Sequence, residues 1–154
     1  MPELLARTAL AIDDCKSHLK TTKAFGSPIE SYLTQYVLIV LYSDIQQELY
    51  KIVGEMAGKN SNKLVEQFIL SSLERNLRNI RKDNLADFMN MFGASVKTKF
   101  NSKLSEKDVT IYNNAVFYRH AVAHSLGVEI TFSELGNTLR AARKMLFAFK
   151  SSLT

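Results

Sequence analysis

The chain has 154 residues, 46% of them apolar and 23% charged, a size and balance that fit one soluble domain spanning 1–154. One cysteine, Cys15, excludes an intrachain disulfide and makes the cytoplasm the expected compartment. The longest apolar run, Tyr36 to Tyr42, is far too short to cross a membrane, and a formal charge of +5 favours an anionic partner such as nucleic acid.

The N-terminus Met-Pro-Glu-Leu-Leu has no basic stretch leading into a long apolar one, so no signal peptide is expected. The first helix is predicted over Glu3 to Thr22, with Leu4, Leu5, Leu10, Ile12, Cys15 and Leu19 spaced among charges. Lys23-Ala24-Phe25-Gly26-Ser27-Pro28 ends it, and Ser27 is a candidate N-cap with Pro28 at the first helical position. The second helix then runs from Pro28 to about Met56. It is nearly apolar from Tyr32 to Tyr42 and is expected to be central and largely buried.

Gly58 to Asn62 is a loop, and Asn62 can cap a third helix reaching Lys82. A short element, Asn84 to Phe92, stops at Gly93. Ala94 to Leu104 is basic and poorly periodic, and reads as a loop near the main site that carries Lys97 and Lys99, or equally well as a solvated connector. Ser105 is placed as the N-cap of a helix that Gly127 closes. A strand-like scrap, Val128-Glu129-Ile130, follows. Thr131-Phe132-Ser133-Glu134 has the form of a capping box opening a last helix to about Ser151. Six glycines and two prolines suit long helices. The fold class is therefore all-α, an up-and-down bundle of five or six helices with short irregular loops.

Two of the three histidines fall in Tyr118-Arg119-His120-Ala121-Val122-Ala123-His124-Ser125. At roughly 100° per residue, the apolar side chains from Val109 to Leu126 fill an arc of roughly 120°, and Phe117 falls outside it. Arg119 projects into the middle of the arc. His120 and His124, one turn apart, project onto its border. A buried guanidinium needs a carboxylate, an anion or a subunit boundary. Asp44 and Glu48, one turn apart on the second helix, are the candidate carboxylates.

The Arg119-x4-His124 spacing, with a polar residue directly after the arginine and the turn Ala123-His124-Ser125-Leu126-Gly127, resembles the HEPN superfamily. The likeness is greatest to the bacterial MAE-like and RiboL-PSP-HEPN groups. It extends to Tyr42-Ser43-Asp44-Ile45-Gln46-Gln47-Glu48, to Asp87-Phe88-Met89-Asn90-Met91-Phe92-Gly93 and to the exit Gly127-Val128-Glu129-Ile130-Thr131.

The resemblance implies a metal-independent endoribonuclease without cofactor, a toxin or phage-defence effector under the control of an antitoxin or other regulatory partner. It also implies a homodimer with two motif helices facing one cleft. On that footing His124 is the acid–base group, Arg119 the phosphate clamp and His120 a substrate-orienting residue, with Asp44 or Glu48 holding Arg119. Arg75, Arg78, Arg81 and Lys82 form a basic stripe that could track an RNA backbone, although a solvated face with Glu74 and Asp83 nearby is the reading to be preferred. Three other readings stay open: His120 and His124 as half of a metal site, Arg119 in a structural ion pair, and a non-catalytic HEPN dimer that binds RNA or docks a protein.

Overall fold

The computed structural model describes residues 3–123 and 130–154, and residues 119–123 as helical backbone only. Seven α-helices and one 3-10 turn make up the described residues: α1 (Ala6–Thr21), α2 (Pro28–Gly58), α3 (Lys63–Asn76), α4 (Lys82–Asn90), α5 (Ala94–Ser102), α6 (Glu106–Ala123), the turn Phe132–Glu134, and α7 (Leu135–Ser152). The all-α reading holds. None of these helices is long and apolar enough to cross a membrane.

Several predicted caps are present. Asn62 Oδ1 accepts the Leu64 N–H at 3.0 Å, Ser105 Oγ accepts the Asp108 N–H at 3.1 Å, and the Glu134 carboxylate accepts from the Thr131 N–H at 2.7 Å and its hydroxyl at 2.8 Å. Ser27 departs from its predicted role. Its hydroxyl donates back to the Ala24 carbonyl, and Glu30 takes the Gly26 N–H at 2.6 Å instead, with Pro28 at the helix start. Gly127 and the segment Val128-Glu129 lie outside the described residues; Ile130 is half-buried and has no regular structure.

Two segments differ from expectation, and the first of them supplies the extra helix. Ala94 to Leu104, expected as a loop, contains α5. Gly93 introduces it at φ 126°, a conformation that favours glycine. Its one fully buried side chain is Phe100, edge-on to Phe149 at 6.2 Å between ring centres. A nine-residue helix held by a single anchor leaves little periodic signal.

The third helix, expected to reach Lys82, stops at Asn76 because Leu77 and Ile80 turn fully into the core. The backbone groups that the break releases find partners elsewhere. Tyr112 Oη donates to the Ile80 carbonyl at 2.6 Å, Tyr42 Oη to that of Arg78 at 3.5 Å, and the Lys82 N–H donates to Asn113 Oδ1 at 3.0 Å.

α2 is the central element, packed on α1, α3, α6 and α7. Leu38, Ile45, Leu49 and Val53 on it meet Tyr112, Met145, Leu146 and Phe149 in one core. Its N-terminal half corrects the expectation of general burial. Val37, Leu38, Leu41 and Tyr42 are buried, but Ile29, Tyr32, Tyr36 and Ile39 are exposed, Tyr32 by 65%. Steps of three and four residues put these four in one strip. An all-apolar stretch cannot itself announce which face turns inward.

Candidate functional site at the end of α6

Burial along α6 follows the sequence projection. Tyr112, Ala115 and Val116 are buried, while Phe117, outside the apolar arc, is 53% exposed. Position 119 comes seven residues after Tyr112 and four after Ala115, so it continues the line of the buried face. Position 120 continues the line of Val109 and Asn113. Both lie in the last helical turns before α6 ends at Ala123. His124 lies outside the described residues, as do the side chains of Arg119 and His120.

The level of these positions in the bundle follows from the helix directions. α6 runs antiparallel to α7: Lys144 Nζ lies 3.0 Å from the Asp108 carboxylate near the start of α6, whereas Asn114 lines a surface hollow with Glu134 and Thr138. α7 runs alongside α2 in the same direction, with the Phe132–Glu134 turn near one end and Phe147 and Lys150 beside Glu48 and Ile52 near the other. α6 is therefore antiparallel to α2, with Tyr112 and Tyr42 reaching the same 77–81 linker. By that pairing position 119, two turns beyond Tyr112, falls toward the N-terminal half of α2, about two turns before Tyr42.

Asp44 lies roughly 13 Å from that level along the axes, and Glu48 a further turn away. Asp44, 4% exposed, is engaged by α1. Its carboxylate accepts from the Thr8 N–H at 3.0 Å and from Thr8 Oγ1 at 2.8 Å. The residue before α1, Leu5, has a left-handed backbone and no side-chain oxygen, so Asp44 caps the helix from across the core. Glu48 is half-buried in a hollow with Leu4, Lys51 and Phe147.

The weaker candidates are dispersed. Arg75 ends α3, Arg78 lies in the linker, Arg81 precedes α4 and Lys82 opens it, so they do not form one helical stripe. Lys97 reaches Asp87 at 3.1 Å, and Lys99 is exposed in the last turn of α5. α5 packs against the C-terminal part of α7, where Lys103 Nζ meets Ser151 Oγ at 2.7 Å. That end of the bundle is opposite position 119, which corrects the expected nearness of Lys97 and Lys99 to the motif.

Burial, and then the nearby Tyr42, push the Tyr112 phenol well above its ordinary range, so it remains a protonated donor. Among the described residues no three His, Cys, Asp or Glu side chains gather at a spacing that could hold a metal ion.

No curated protein and no solved structure matches the chain. One family model, RiboL-PSP-HEPN, matches residues 4–154. A match that begins just before α1 and takes in every helix through α7 makes this chain a member of the RiboL-PSP-HEPN family, within the HEPN superfamily.

Proposed function

We propose that this chain is a metal-independent endoribonuclease that cuts RNA by attack of the 2′-hydroxyl and leaves 2′,3′-cyclic phosphate ends. The observation that carries the reading is the sequence Arg119-x4-His124 in a HEPN-family chain, with position 119 on the line of the buried face of α6. The reaction removes the 2′-hydroxyl proton, builds negative charge on phosphorus-bound oxygens and protonates the departing 5′-oxygen. His124 transfers protons near neutral pH, Arg119 binds the phosphoryl oxygens as charge accumulates, and His120 orients the substrate. We further propose a homodimer, in which the two motifs supply the acid and the base to one phosphate. The exposed strip Ile29, Tyr32, Tyr36 and Ile39, on the half of α2 level with position 119, supports that pairing.

In this reading the enzyme acts on cellular or phage RNA as a toxin or defence effector, with an antitoxin or other regulatory partner protein. The test is cleavage of a defined RNA in EDTA by wild type, Arg119→Ala and His124→Ala. Wild type should produce cyclic phosphate ends, and each variant should lose about a hundredfold or more in rate. Variants that cut as well as wild type would sink the site assignment. RNA binding without cleavage, across substrates and pH, would instead identify a non-catalytic HEPN module.

A further inference from the structure

The charges of α7, which look scattered in the sequence, converge in space. A hollow of about 630 Å³ is lined by Lys103, Arg140, Arg143, Lys144 and Glu3 around a floor of Leu4, Phe147 and Ala148. Arg140 and Lys144 also line a second hollow, with Lys107, Asp108 and Asn137. Asn137 and Ile111 continue into a third, with Asn114 and Ile130. Sharing these side chains, the three form one open furrow that follows α7 for roughly 20 Å, beside α6 from Glu134 and Asn114 to Lys144, and then between α7 and the segment before α1 as far as Phe147.

Across the three hollows five cations (Lys103, Lys107, Arg140, Arg143, Lys144) face three carboxylates (Glu3, Asp108, Glu134), an excess of two positive charges that is concentrated in the first two. Arg140 and Lys144 are one helical turn apart, a spacing that suits successive phosphates of an extended strand. Phe147, 65% exposed, offers a flat face at the far end. Asn137 and Asn114 add amide groups along the way.

We infer that this furrow is a binding site for single-stranded RNA, holding nucleotides that flank the scissile phosphate. The phosphates run along Arg140, Lys144 and Lys107, and a base stacks on Phe147. An open track of cations with one aromatic platform is the pattern of single-strand binding surfaces. An acidic helix would need a row of apolar pockets, and the floor is apolar only at its Leu4–Phe147 end. The site deepens the ribonuclease reading, from which its role as a substrate track derives.

The test is fluorescence anisotropy with a short labelled 2′-O-methyl oligouridine, which lacks the attacking hydroxyl and cannot be cut. Lys107→Glu/Arg140→Glu should bind at least tenfold more weakly, with a log–log salt slope shallower by about two. Phe147→Ala should bind about fivefold or more weakly. Lys16→Glu/Lys20→Glu, on the exposed face of α1, should bind as wild type does. Wild-type affinity in the furrow variants, or equal loss in the α1 control, overturns the proposal, as does tighter binding of polyglutamate than of the oligonucleotide. Cleavage of a longer RNA separates the two readings: the furrow variants should need more RNA to approach the wild-type rate, whereas Arg119→Ala should not approach it at any RNA concentration. If wild type cuts no RNA yet the binding differences appear, the ribonuclease reading falls and the furrow stands.

Discussion

Asp44 is buried within α2, and its carboxylate accepts two hydrogen bonds from Thr8 at the start of α1. An acid within a mostly apolar helix must be satisfied, and that much is legible. Arg119, an arginine on an apolar face, has the complementary need and is the candidate partner in the sequence, but its side chain lies outside the described residues. The observed partners are the backbone N–H and hydroxyl of Thr8, 36 residues upstream. A backbone donor has no signature in the sequence, and its need arises only because Leu5 cannot cap α1. Asp44→Ala is therefore expected to destabilise the fold by about 2 to 3 kcal/mol, seen as a lower urea midpoint at unchanged slope. A midpoint equal to that of wild type would mean that apolar packing alone holds α1.

At the scale of elements, caps were the most legible features, because their chemistry is local. Asn62, Ser105 and the Thr131–Glu134 pair needed only neighbours within three residues. α5 and the break after α3 were not legible, because each depends on distant chain. Phe100 needs Phe149, and the 77–81 linker needs the hydroxyls of Tyr42 and Tyr112.

The caps also set an acid sensitivity. The Ser105 hydroxyl and then Lys144 hold the Asp108 carboxyl below its ordinary range, while the Thr131 N–H and then its hydroxyl do the same for Glu134. A carboxylate whose pKa is lowered by folding contributes stability above its unfolded pKa and loses it as pH falls through the folded value. The melting temperature should therefore fall between about pH 5 and pH 3. Asp108→Asn/Glu134→Gln should flatten that decline. An equally steep decline in the double variant would assign the effect to other carboxylates.

For the whole molecule, the architecture was legible from helical periodicity and scarce Gly and Pro, whereas the unpaired face was not. The strip from Ile29 to Ile39 lies in a stretch so uniformly apolar that only the assembled bundle shows which side remains open. If this face joins two copies, the protein should elute in gel filtration at the mass of two chains. Tyr32→Arg/Tyr36→Arg should then elute as one chain with its far-ultraviolet helical signal intact. A wild-type mass of one chain would refute the pairing.

The Tyr112 hydroxyl that closes the 77–81 linker has an optical consequence. The chain has no tryptophan and six tyrosines, so its near-ultraviolet spectrum is dominated by phenols. Tyr32 and Tyr36 face solvent, whereas Tyr112 is fully enclosed and hydrogen-bonded to Ile80. Burial holds the Tyr112 phenol well above its ordinary range, so during alkaline titration it ionises only when the linker lets go. Its delayed absorbance change thus gives a built-in spectroscopic marker for the junction of α2, α3 and α6, readable without a label.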